Sequence, residues 1–107
     1  MTEIAIVYAT FGDRTSAENI AAQMIERHLA ACANIQSPCL SIYRWEGATG
    51  RSEEIPVLFK TSLAQRAALM AALAAAHDYA LPAISSWTAT TTADYGAWVE
   101  AETQGSQ

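Results

Sequence analysis

A chain of 107 residues, about half of them hydrophobic, with eleven carboxylates against six lysines and arginines, has the length for one domain around a single core. A net charge of -5 and scattered cations argue against nucleic acid or an anionic membrane surface as a partner. No apolar run approaches the roughly 18 residues of a membrane span, and Met1-Thr2-Glu3 leads into a strand without a charged and apolar leader, so the expected location is the cytoplasm.

Ile4-Ala5-Ile6-Val7-Tyr8-Ala9 is a continuous apolar run that stops at Phe11-Gly12-Asp13, and it reads as a strand covered on both faces. Thr15-Ser16-Ala17-Glu18 has a capping-box pattern. Ala17, Ile20, Ala21, Met24, Ile25 and Leu29 follow at one-face spacing, predicting a helix over 16–30. Between 29 and 62 lie two runs of strand formers joined by a connection built on Gly47 and Gly50, a β-hairpin. Its arms, about ten residues each, are roughly twice the usual strand length, so part of the hairpin is expected to project beyond its own sheet.

Gln36-Ser37-Pro38 breaks the first arm, because proline has no N–H to give the ladder. Beyond it Ser41, Tyr43 and Trp45 share one face, and Leu40, Ile42 and Arg44 the other. Pro56 interrupts the second arm in the same way and predicts a bulge there. Cys32 and Cys39 have opposite parity on a regular strand, so they read as buried thiols facing opposite ways and unable to bridge.

Ser62-Leu63-Ala64-Gln65 repeats the capping-box pattern and opens an alanine-rich helix to about 76, with Leu69, Ala72, Leu73 and Ala76 as its stripe. His77-Asp78-Tyr79 ends that helix, with Pro82 close behind. The run 83–89 reads as the last strand. Thr92-Ala93-Asp94 caps a closing helix whose Tyr95, Trp98 and Val99 share a face, and 103–107 is expected to be a frayed polar tail.

This order predicts an α+β, ferredoxin-like βαββαβ sandwich in a single domain: an antiparallel sheet, two helices on one face, and a short C-terminal helix appended. The strands are apolar on both faces, in Ile4, Ile6 and Tyr8 as in Ala5, Val7 and Ala9, and the third helix looks too short to cover a sheet. The uncovered face predicts an obligate homo-oligomer, with Tyr43 and Trp45 near subunit contacts and Val7 and Val57 as positions where a charge disturbs assembly.

Several residues are candidates for chemistry. Lys60, the only lysine, stands at a strand-to-helix junction where a cation meets the positive end of a helix dipole; it either completes an anion site or pairs with Glu46 or Glu54. Tyr43 and Trp45 can stack on a ligand or fill an interface. His77, at a helix C-terminus, is explained by an imidazolium favoured by the dipole. Glu53 and Glu54 point to opposite faces and form no acid–base pair. No nucleophile-and-base arrangement or glycine-rich phosphate loop stands out, so no enzyme is expected.

In chain order, Leu29-Ala30-Ala31-Cys32-Ala33-Asn34-Ile35, Ser41-Ile42-Tyr43-Arg44-Trp45-Glu46-Gly47, Phe59-Lys60-Thr61, His77-Asp78-Tyr79 with Pro82, and Asp94-Tyr95 with Trp98 resemble the CutA family of divalent-cation tolerance proteins. The resemblance spans nearly the whole chain and implies a cytoplasmic ferredoxin-like homotrimer linked to the response to metal ions. Copper-binding members carry a cysteine at the end of the first strand and a histidine pair before the tyrosine; here Ala9 and Ala76-His77 hold those places, and Ala83 replaces a glutamate after the proline. His77 is then a weak metal ligand, and copper a metal implied by resemblance alone. The candidate ligand-binding residues of a cleft between subunits are Tyr43, Trp45, Lys60 and Tyr79. Two other classes remain: a signalling regulator similar to the PII proteins, binding an anionic small molecule between subunits, and a small enzyme using Lys60, Tyr79 and His77.

Overall fold

The computed structural model describes residues 1–104. The strands are β1 (Thr2–Phe11), β2 (Cys32–Ile35), β3 (Cys39–Trp45), β4 (Ala48–Thr61) and β5 (Ile84–Thr91); the helices are α1 (Arg14–Glu26), α2 (Arg66–Ala76) and α3 (Ala93–Glu102). The antiparallel sheet runs β2-β4-β1-β5, and β3 pairs with the outer half of β4. Ala5, Val7, Ala9 and Phe11 of β1 and Ile55, Val57 and Phe59 of β4 are buried on the face that α1 and α2 cover with Ile20, Met24, Leu69 and Leu73.

Local chemistry explains the helix ends and corrects two expectations. Asp13, and not the Thr15 capping box, starts α1: its carboxylate accepts the Ser16 N–H at 2.8 Å. The helix stops at Glu26, short of Ala30, because His28 turns left-handed at φ 58° while the Leu29 N–H reaches back to the Met24 carbonyl at 3.0 Å. Ser62 and Gln65 do not form a box either. A 3-10 turn at Leu63–Gln65 precedes α2, and both side chains hold Thr103 instead. The Thr103 hydroxyl lies 3.0 Å from Ser62 Oγ, and Gln65 Nε2 donates to the Thr103 carbonyl at 2.9 Å. Thr103 is buried, so the tail starts later than expected, and its remainder from 105 lies outside the described residues. Thr92 does precede α3, but its side chain makes no capping bond.

Pro56 sits in β4, central in the sheet, without bulging it. Pairing of β4 with β1 runs unbroken from Ala5↔Thr61 to Phe11↔Ile55, while across the other edge Ile35↔Val57 gives way to Cys39↔Glu54. Three residues, 36–38, therefore stand opposite two. The extra residue lies in the partner strand, where the donor that Pro56 lacks has no ladder to serve, and the Pro56 carbonyl accepts from Gln36 N at 2.9 Å. This one-residue shift also corrects the reading of the cysteines. Cys32 pairs with Lys60 and Cys39 with Glu54, so both lie on the same face, about 20 Å apart along β4 at the usual strand rise. They are free as expected, for reasons of distance, and only half-buried.

β3 and β4 are joined by Glu46-Gly47, at φ 52° and 82°, between the paired residues Trp45 and Ala48, a two-residue loop of type I′. Gly50 is not part of the turn. It pairs with Tyr43, whose ring lies where a Cβ at Gly50 would stand. The projecting hairpin stretches the subunit to 45 × 27 × 22 Å and a radius of gyration of 14.4 Å, against about 13 Å for a spherical domain of this size. Glutamate is a poor fit to a left-handed turn position that asparagine tolerates. Glu46→Asn is therefore expected to stabilise the fold by about 0.5–1 kcal/mol, read as a higher urea midpoint with an unchanged slope.

The second sheet face is covered only at one end. α3 lays Val99 on Ile4 and Ile6, with Tyr95 and Leu58 packed around them. Leu58, at the edge of that patch, and Tyr8, beyond it, are half-buried, and Trp87 opposite Ile6 is 47% exposed. Val7 and Val57 are fully buried under α1 and α2, so they report on the subunit core and not on assembly, contrary to the expectation from sequence.

Candidate functional site

The segment between α2 and β5 brings the functional candidates together. At its start His77 caps α2 by its backbone N–H, which donates to the Leu73 carbonyl at 3.0 Å, and its ring turns into the protein. The imidazole is fully buried, stacked on Phe11 with centroids 4.7 Å apart and planes within 9°. Nε2 donates to the Thr10 carbonyl at 2.7 Å, and Nδ1 accepts the Tyr79 N–H at 3.1 Å. Both nitrogens are thus used by a neutral imidazole. Asp78 also lies 3.5 Å from Nδ1, but an ion pair there needs a proton on the nitrogen that the Tyr79 N–H already occupies. His77 neither caps α2 as an imidazolium nor has a lone pair free for a metal, which corrects both sequence readings of it.

His77 fixes Thr10 and Tyr79, and these two meet Glu54. The Tyr79 hydroxyl donates to Glu54 Oε2 at 3.0 Å, and Thr10 Oγ1 to the same oxygen at 3.4 Å. Burial, reinforced by the Glu54 carboxylate, pushes the Tyr79 phenol up to about 12, so it remains a neutral donor. Around this pair opens a cavity of about 530 Å³, within the usual range for small-molecule sites. Tyr43, Trp45, Ser41 and Ser52 of the hairpin form one wall, and Tyr79, Leu81 and Ala83 another; Arg44 also borders it.

Three of the four residues expected in a ligand cleft, Tyr43, Trp45 and Tyr79, therefore line one cavity. Lys60 does not. Its Nζ donates to Asn34 Oδ1 at 2.6 Å, and it lies six residues along β4 from Glu54, about 20 Å at the strand rise. Neither Glu46 nor Glu54 pairs with it among the described residues. Cys32 stands opposite Lys60 and beside Tyr95, whose phenol is raised by burial and then by that thiol. Glu54 and Thr10 were missed by sequence reasoning. Their signal is parity: Thr10 pairs with Pro56, two residues from Glu54 on the same face, which becomes visible once the β1–β4 register is known. Among the described residues no three histidine, cysteine or acidic side chains gather as a metal set.

An antiparallel ferredoxin-like sheet with a long hairpin, and a cavity along one face of that hairpin, define the class of protein. The family model described as CutA1 divalent ion tolerance protein matches residues 5–102, and the chain belongs to that family. A divalent-cation tolerance protein CutA from Citrobacter koseri is 31% identical over 100 residues, covering 92% of this chain and 87% of its own length. The crystal structure of CutA from Xylella fastidiosa superposes with a TM-score of 0.92 at 29% identity, covering 96% of this chain and all of the other. CutA from Synechococcus elongatus gives 0.90 at 31% identity, covering 97% and 93%.

Proposed function

We propose that the chain works in divalent-ion tolerance as a cytoplasmic, non-enzymatic homotrimer that receives a ligand in the cavity along the hairpin. One observation carries this reading. The incompletely covered strip of Tyr8, Leu58 and Trp87 and the cavity of Tyr43 and Trp45 lie on the same sheet face, so a second copy laid on the strip borders the cavity. Closed cyclic assembly covers each copy's strip, and the resemblance to CutA supplies the number three. A binding role is supported by how the ionisable groups are held: Tyr79 is kept as a neutral donor, Glu54 accepts two hydroxyls, and His77 spends both nitrogens on the backbone. The enzyme reading loses its trio, since Lys60 lies far along β4 from Tyr79 and His77. The regulator reading retains Lys60, whose ammonium is met by an amide and by no carboxylate among the described residues.

Sedimentation equilibrium at low micromolar concentration should give three subunits. Calorimetry with copper and zinc on the reduced protein should give weak binding, adventitious at Cys32 or Cys39. A monomer, or one tight copper per chain abolished by Cys32→Ala or Cys39→Ala, would contradict this reading.

A further inference from the structure

We propose that Lys60, with Asn34, Cys32 and Tyr95 around it, forms a second binding site, for a small, singly charged oxyanion of the carboxylate class. The site is separate from the cavity, since Lys60 lies about 20 Å along β4 from Glu54, and the proposal does not depend on what the cavity holds.

Three observations lead to it. First, the ammonium has no counter-charge. Lys60 is half-buried in a central strand, between Cys32 of β2 and Ile6 of β1; Ile6 and the nearby Ala31, Leu58 and Tyr95 belong to the apolar patch under α3. Water screens a charge less at the rim of such a patch, so an opposite charge is drawn to it more strongly. The chain has eleven aspartates and glutamates, yet none lies within ion-pair distance of Lys60 among the described residues. What meets the ammonium is a neutral amide, Asn34 Oδ1 at 2.6 Å. Second, the groups around it are donors. Asn34 gives its oxygen to Lys60, and the Cys32 thiol lies 3.7 Å from the same oxygen, which leaves the amide NH2 and the other ammonium N–H bonds to donate. Burial, then the Cys32 thiol, raise the Tyr95 phenol, which stays a neutral hydroxyl beside that thiol. Third, the cluster gathers the chemistry-bearing residues of three stretches singled out in the sequence, Leu29 to Ile35, Phe59 to Thr61, and Asp94 with Tyr95. The cavity uses none of them.

The same residues select the charge of the ligand. A cation is repelled by Lys60. One ammonium among neutral donors balances one negative charge, and a dianion is penalised by Asp94 beside Tyr95 and by the net charge of -5. A carboxylate fits both limits, because its two oxygens accept from the ammonium and from a flanking donor at once.

The test titrates the assembled protein at pH 8 and constant ionic strength with acetate, with inorganic phosphate and, as the cationic counterpart, with methylammonium. Acetate is expected to shift the Asn34 side-chain NH2 and the Cys32 amide resonances and to leave the Trp45 indole N–H of the cavity in place; methylammonium should move neither. Lys60→Met, which keeps a straight side chain and removes the charge, should weaken acetate binding about tenfold. Lys60→Arg should retain it, and Tyr95→Phe should weaken it about threefold. If Lys60→Met binds acetate as well as wild type, the ammonium has no role and the proposal fails. Phosphate binding in place of acetate would overturn the singly charged class. No response to either anion would overturn the site itself; if Lys60→Met then also dissociates the assembly in sedimentation, a carboxylate of a neighbouring copy takes the place assigned to the ligand.

Discussion

Leu58→Asp is expected to dissociate the assembly while leaving each subunit folded, and Val57→Asp to prevent folding altogether. These neighbours on β4 point to opposite faces. Val57 is fully buried among Val7, Phe59 and the helix side chains, where an unpaired carboxylate costs several kcal/mol, a large part of the whole stability of a domain this size. Leu58 is half-buried beside Tyr8, at the edge of the α3 patch and on the strip we assign to subunit contact, so a charge there costs a free subunit far less than one at Val57 and is penalised chiefly on association. A penalty of about 3 kcal/mol per contact weakens association more than a hundredfold, enough to yield monomers at micromolar concentration. Sedimentation velocity reports the size and near-ultraviolet dichroism the core. A Leu58→Asp protein that still sediments as wild type would remove the second face from the assembly.

His77→Ala carries the second large effect, about 3–5 kcal/mol of destabilisation. The substitution leaves a cavity beside Phe11 and deprives the Thr10 carbonyl and the Tyr79 N–H of their partners, and each loss counts in a buried site. Were the residue only an imidazolium at a helix end, the cost would be nearer 0.3–1 kcal/mol. Urea denaturation at equal protomer concentration, needed because assembly makes stability depend on concentration, distinguishes the two. The same variant frees Tyr79, so the hydrogen bond to Glu54 should weaken and the Tyr79 phenol should titrate below its wild-type value of about 12. An unchanged phenol titration would show that the loop holds Tyr79 without help from the imidazole.

How much was legible beforehand follows from the range over which each signal acts. The strands, the helix faces and the hairpin were readable because alternation, three-to-four spacing and the chemistry of Gly47 and Pro38 act between near neighbours in the chain. The capping boxes misled for the same reason. Ser62 and Gln65 suit a helix start locally, yet they are used by Thr103, about forty positions away, which no local pattern announces. Tyr43 and Trp45 were recognised as one face of the hairpin and were expected in a cleft with Tyr79, and the three line the same cavity.

Fold class, single-domain size, the projecting hairpin and the excess of apolar surface on the strands are thus properties that the order of residue types determines, since each depends on periodicity and composition. Which face Val57 and Leu58 serve, that Cys32 and Cys39 share a face, and that Thr10, Glu54 and Tyr79 meet while Lys60 does not, all depend on register. Register was decided in the tertiary structure. One additional residue at 36–38 shifts every side chain of β3 relative to β2, and the buried His77 sets how far the Tyr79 loop reaches across the sheet.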